Sequence, residues 1–137
     1  MKFTAAIAVI ALTAVTTASA GAQNSPENAF DRHLFPPELV MQHQQKIGLR
    51  AEQRNTITEA IQQLQTKVVD LQWKMQEESQ KFSDILAKSP INETEALAQV
   101  DRVLSIEREV KRAHITMLVR IRNTLTAEQQ ATLRSLR

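Results

Sequence analysis

The sequence predicts an all-α protein built on one long antiparallel helical hairpin, with a short helix before it and another after it. Three observations carry this prediction. First, Gly21 and Gly48 are the only glycines in 137 residues, and the aromatic residues are four Phe and one Trp with no Tyr. Turn formers and the side chains that pleated sheets favour are therefore scarce, and good helix formers fill their place. Second, an apolar seam with a period of 3.5 residues runs through the middle of the chain. Third, Ser89-Pro90 divides that seam in two, and a proline at such a point ends a helix. Cysteine is absent, which removes disulfides, thiolate metal sites and cysteine nucleophiles.

The chain opens with the short basic stretch Met1-Lys2-Phe3, followed by small apolar residues over 4–18. Ala18-Ser19-Ala20 or Ala20-Gly21-Ala22 then supplies a small-residue cleavage pattern. Residues 1–22 thus predict a cleaved secretory signal peptide and a bacterial envelope as destination. The apolar run is shorter than the ~20 residues that span a bilayer, so no stable membrane anchor is expected after cleavage. Loss of Lys2 lowers the formal charge from +2 to +1, with 16 basic residues against 15 acidic. Such a balance does not suit nucleic acid.

Residues 23–36, which include Asn24-Ser25-Pro26-Glu27-Asn28, show no sustained period and predict a flexible leader. The helical domain is expected over 37–137. Pro37 suits a first helical turn, and a short helix from there to about Lys46 would carry Leu39, Val40, Met41 and His43 before Gly48 stops it. Over 51–88, Ile57, Ile61, Leu64, Val68, Leu71, Met75, Phe82 and Ile85 alternate in steps of four and three, interrupted once by Glu78. At ~1.5 Å per residue this helix is ~57 Å long. Asn92 with Glu95 three residues on predicts a capped start for the next helix, whose seam reads Ala96, Val100, Val103, Glu107, Val110, His114, Met117 and Ile121. The short connection folds the two helices back on each other. A final helix starts at Thr126, where the hydroxyl caps the backbone and Gln129 reaches back. A hairpin with two short helices buries little apolar area for its size, so a homodimer is expected. Val69 and Trp73 on the outer side of the second helix, and Leu97, Leu104, Leu118 and Val119 on the third, would meet a second copy or a client.

Leu125-Thr126-Ala127-Glu128-Gln129 matches the LTxxQ motif, and Leu49-Arg50-Ala51-Glu52-Gln53 repeats it with Arg in place of Thr. With the signal peptide, short helix, long hairpin and terminal helix in that order, the chain resembles the periplasmic Spy/CpxP proteins and their heavy-metal sensor and resistance relatives over about residues 34–137. The resemblance implies a curved helical dimer in the periplasm. Some relatives act there as ATP-independent chaperones of unfolded or misfolded envelope proteins, or as inhibitory partners of a sensor kinase. A second branch binds nickel, cobalt, zinc or copper through His, Glu and Met. Those metal-binding relatives carry a His-x-x-x-His pair on the first helix, where this chain offers only His43, and Met117 and Ile121 stand where they place a His and a Met.

For a metal the candidate ligands are His33, Met41, His43, His114 and Met117, with His114 and Met117 three residues apart on one helical face. The competing reading makes His114 a seam residue and Met117 core filler. For clients, Lys67, Lys74, Lys81 and Lys88 repeat every seven residues as a basic line flanking the seam; lysines so placed also pair with acidic residues of a neighbouring helix. From residue 111 onward Lys111, Arg112, Arg120, Arg122, Arg134 and Arg137 face only Glu128, whereas residues 51–110 hold eleven acidic and seven basic residues. That end would steer acidic or unfolded clients by its field, or neutralise the acidic half of a second copy. Trp73 falls farthest from the partner helix, as a client contact or a buried dimer contact. No Gly-rich phosphate loop, nucleophile elbow or His-Glu-x-x-His occurs, so no catalysis is expected. The leading expectation is a periplasmic protein-binding chaperone that requires no cofactor; the alternatives are a divalent-metal sensor or resistance protein and a kinase-inhibiting adaptor.

Overall fold

The computed structural model describes residues 26–137; the expected signal peptide and the first residues of the leader lie outside them. The described residues form five helices, α1 (Pro26–His33), α2 (Pro37–Gln42), α3 (Ala51–Leu86), α4 (Glu93–Thr124) and α5 (Ala127–Ser135), and no strand. None of these helices is long and apolar enough to cross a membrane. As the spacing predicts, α3 and α4 pack against each other as an antiparallel pair. Asn92 caps α4 by accepting the Glu95 amide at 3.0 Å, and Thr126 caps α5 in the same way at 3.2 Å. Gly48 has φ +61°, a left-handed residue that glycine adopts without a Cβ penalty. It ends the turns after α2 so that α3 can start three residues later.

Two sequence expectations need correction. The segment 23–36 is not a period-free leader throughout: α1 occupies Pro26–His33, and Leu34 and Phe35 are buried in the core. Proline at the head of α1, together with Phe30, Leu34 and Phe35 close in sequence, gives this segment an apolar side that its polar composition hides. The seam of α4 is also shifted in part. Ala96, Val100, Val103, Val110, Met117 and Ile121 are buried or half-buried as expected, but Glu107 and His114 are exposed, and Gln99, Ile106 and Ala113 lie inward. From Val103 and Val110 the helix takes a step of three where the sequence reading took four, and after Ala96 both Gln99 and Val100 turn inward. Gln99 escaped the reading because it is polar; its amide donates to the Glu78 carbonyl at 2.9 Å and to its carboxylate at 2.6 Å. This pairing also explains the single polar break in the α3 seam, since a buried amide and a carboxylate satisfy each other.

The core lies at one end of the hairpin. Leu34, Phe35, Val40 and Ile47 meet Ile57 and Ala60 of α3, Met117 and Ile121 of α4, and Leu125 and Leu133 around α5. The rest of the hairpin is an arm two helices thick, in which Leu71, Ile85 and Ile106 are buried. At the base the two motif glutamines, both buried, form a reciprocal amide pair. Gln53 Nε2 donates to Gln129 Oε1 at 2.8 Å, and Gln129 Nε2 donates to Gln53 Oε1 at 3.0 Å. Each oxygen also accepts the cap amide of its own helix, from Arg50 at 3.0 Å and from Thr126 at 2.9 Å. Each nitrogen donates its second proton across the base, to the Thr124 carbonyl at 2.9 Å and to the Ile47 carbonyl at 3.2 Å. An arginine side chain has no acceptor, so the first motif lacks the hydroxyl half of its capping box; the glutamine half is intact.

Truncating one glutamine strands two or three buried polar groups, each worth ~1–3 kcal/mol. Gln53→Leu and Gln129→Leu should each destabilise the fold by about 3 kcal/mol in urea unfolding. The double variant should cost clearly less than the sum, and strict additivity would show that the pair is not coupled.

Candidate functional site

The register of α3 on α4 sorts the surface of the arm into two unlike faces. On one face Lys67 pairs with Glu109 at 3.1 Å across the two helices, and Lys88, just past the end of α3, pairs with Glu95 at 3.2 Å. Lys81 bridges Glu77 at 2.8 Å and Glu78 at 2.9 Å within α3. Lys74 belongs to the same line and, after Lys67, helps to lower the Glu109 carboxyl. The heptad lysines are thus engaged with acidic neighbours, as side chains flanking a helical seam are when partners stand opposite. Of the basic residues nearer the base, Arg120 donates to Gln63 and Arg122 to Gln130. Lys111 and Arg112 are exposed.

The opposite face carries less charge, chiefly Lys111 and Glu107 of α4. Starting from Leu118 and stepping back by sevens along α4 gives Lys111, Leu104 and Leu97; the α3 residues on this side are Gln65, Val69, Gln72, Gln76 and Ser79. Leu97 is 57% exposed, Leu104 49% and Val69 50%, although nothing in their chemistry favours water. Trp73 is 70% exposed at the outer edge of α3, beside Lys74, Gln76 and Glu77.

Toward the base, this second face runs under the α1–α2 segment and leaves a groove of about 670 Å³ between them. Phe30, Leu34, Pro37, Leu39 and Met41 form one wall; Ile61, Leu64, Gln65, His114, Met117 and Leu118 form the other. Arg137 fastens the first wall by donating to the carbonyls of Asp31 and Leu34, and its guanidinium lies 5.0 Å from the centre of the Phe35 ring. Of the expected metal ligands, the fold brings His114 and Met117 into the groove and adds Met41. It leaves His43 half-buried at the end of α2 and His33 exposed at the end of α1. The groove was not legible in the sequence because Phe30 and Leu34 of its outer wall come from a segment read without a helical period, and the path of that wall over the hairpin is set by tertiary contacts.

A family model for heavy-metal resistance matches residues 3–132. The chain belongs to the heavy-metal resistance family. This agrees with the resemblance drawn from the LTxxQ motifs and the order of the helices. No curated protein and no solved structure matches the chain.

Membership of the heavy-metal resistance family implies a metal, and the side chains decide which kind fits. Among the described residues no three His, Asp or Glu stand close enough to hold an ion, so a divalent cage of imidazole and carboxylate does not fit. Of Met117 and Ile121, where the resemblance places a ligating His and Met, Ile121 is fully buried in the apolar core and Met117 is buried at the floor of the groove. Met41, Met117 and His114 line the groove, with Met41 half-exposed and Met117 buried.

On the charged face, the hydrogen bond from Lys81, assisted by Gln99, holds the Glu78 carboxyl below its ordinary value, and Lys67 does the same for Glu109. A carboxyl lowered in the folded state adds stability above the usual carboxylate range and loses it as pH falls through the folded-state value. Melting temperature should therefore drop between pH ~5 and ~3. Glu78→Gln and Glu109→Gln should flatten that acid limb, and an unchanged slope would remove these pairs from the account.

Proposed function

We propose that this member of the heavy-metal resistance family is a periplasmic, ATP-independent chaperone that holds unfolded segments of envelope proteins on the weakly charged face of its arm. The observation that carries this reading is the sorting of the arm into a face of mutually paired charges and a face with exposed Leu97, Leu104 and Val69. Unfolded chains offer apolar side chains in many orders, and a surface of separate leucines and valine between glutamines and serines can meet them without demanding one sequence. The glutamine and serine amides and hydroxyls suit exposed client backbone. A second copy of the chain completes the surface by shielding part of the arm, which is too thin to bury its own outer residues. The paired lysines steer encounter more than they hold the client.

Full burial of a leucine side chain is worth ~1.5–3 kcal/mol. With about half of each side chain still exposed, Leu97→Ser and Leu104→Ser together should weaken client binding by about tenfold. Both positions are solvent-facing, so the fold should be retained. The measurement is light scattering from an aggregating client, with chelator and again in 1 M salt, where the Debye length is about 3 Å. Suppression should survive both conditions and fail in the double variant; suppression that vanishes in salt and survives the double variant would place binding on the charged face.

A further inference from the structure

We propose that α1 is an autoinhibitory flap, clasped by Arg137, that closes the base end of the client-holding face until an unfolded segment displaces it. The proposal rests on the reading of that face as the client surface. Face and groove share residues: Leu118 and Gln65 belong to the weakly charged face and also line the groove. Ile61 and Leu64 lie beside them, and Phe30 of α1 stands on the opposite wall. The face that exposes Leu97 and Leu104 on the arm thus runs on toward the base, where α1 and α2 roof it.

The two short helices are held very differently. α2 is tied into the core, because its Pro37 and Val40 are buried and Phe35 just before it is fully buried. α1 has eight residues, and an isolated helix shorter than ~12–15 residues is marginal in water. Phe30 is its one large apolar side chain, half-buried against the edge of the core, while Asp31, Arg32 and His33 are exposed. Arg137 supplies the other anchor. Its guanidinium donates to the Asp31 carbonyl in the last turn of α1 and to the Leu34 carbonyl just beyond it, and lies over the Phe35 ring. An element with few buried apolar contacts opens at a lower free energy than the core. α1 can therefore swing about Leu34 and Phe35 while α2 stays in place. That motion takes Phe30 off its wall, and an apolar side chain of the client enters the widened groove beside Ile61, Leu64 and Leu118. The grip of Arg137 on the two carbonyls sets how often the flap is open.

The test compares native-state hydrogen exchange with client holding in Arg137→Ala and, as a second route to the same opening, in Phe30→Ser. The Leu34 amide, which donates to the Phe30 carbonyl at 2.8 Å, reports α1, and the amide of buried Ile57 within α3 reports the core. Both variants should speed Leu34 exchange by about tenfold or more and leave Ile57 unchanged. In light scattering, each should suppress client aggregation at a concentration about threefold lower than the parent protein needs, because a larger fraction is open. Arg134→Ala, which removes the same charge from an exposed position on α5, should change neither readout. Unchanged Leu34 exchange in both variants, an equal rise at Ile57, or faster exchange with no gain in holding would each overturn the flap. The arm is judged separately. If Arg137→Ala improves holding while Leu97→Ser with Leu104→Ser leaves it intact, the flap stands over a client site confined to the groove and the arm is not the client surface.

Discussion

The fold rests on two glutamines, 76 positions apart, whose amides face each other inside the base. A buried amide carries two donors and two acceptor sites, and leaving any of them unmet is costly. Gln53 and Gln129 meet all of theirs with one another, with the cap amide of their own helix and with a carbonyl just before the opposite motif. No buried side-chain nitrogen or oxygen among the described residues lacks a partner. The pair therefore fixes where α3 begins, where α4 ends and how α5 turns back, and the apolar core forms around that fixed geometry. An apolar substitute at either position could fill the volume, but it could not set the register of three helices at once.

From that anchor the groove and the two faces of the arm follow. Because the base holds the ends, the α1–α2 segment is free to lie across one side of the hairpin, and the groove is the space it leaves. Because the arm beyond the base has only two helices, each helix turns one flank to each side, and the seam alone is covered. The sequence then determines what each flank carries. Acidic residues opposite the lysines make one side rich in paired charge, while glutamine, serine, leucine and valine predominate on the other.

Much of this was legible in the residues. The α3 seam is read correctly along its whole length, since its apolar residues and the break at Glu78 all lie inward, and the caps at Asn92 and Thr126 are where the side chains place them. Of the eight residues read for the α4 seam, six lie inward and Glu107 and His114 do not. Ile106 and Ala113 compete with Glu107 and His114 for the same turn, and periodicity alone does not choose between neighbours one residue apart; packing against Gln99 and Glu78 does. The segment before Pro37 was not legible, because α1 owes its place to contacts with residues at the other end of the sequence, such as Arg137 with Leu34. Likewise each glutamine advertises its own cap, but nothing local announces that the two caps share a bond. The groove combines both difficulties: Met41, His114 and Met117 are visible as candidates, and their common location depends on the path of α1 and α2.

Separating an anchored base from a periodic arm has a further consequence for how such a protein can change size. Residues 72–78 of α3 lie opposite residues 99–105 of α4, as the Glu78–Gln99 contact and the Lys67–Glu109 pair require. Each block is one full repeat of the seam. Removing both would shorten the reach by about 10 Å, bring inward positions onto inward positions and leave the amide pair, the core and the groove untouched. The arm is in this sense a ruler graduated in sevens: its length can be traded against the span of whatever it holds, without renegotiating the fold.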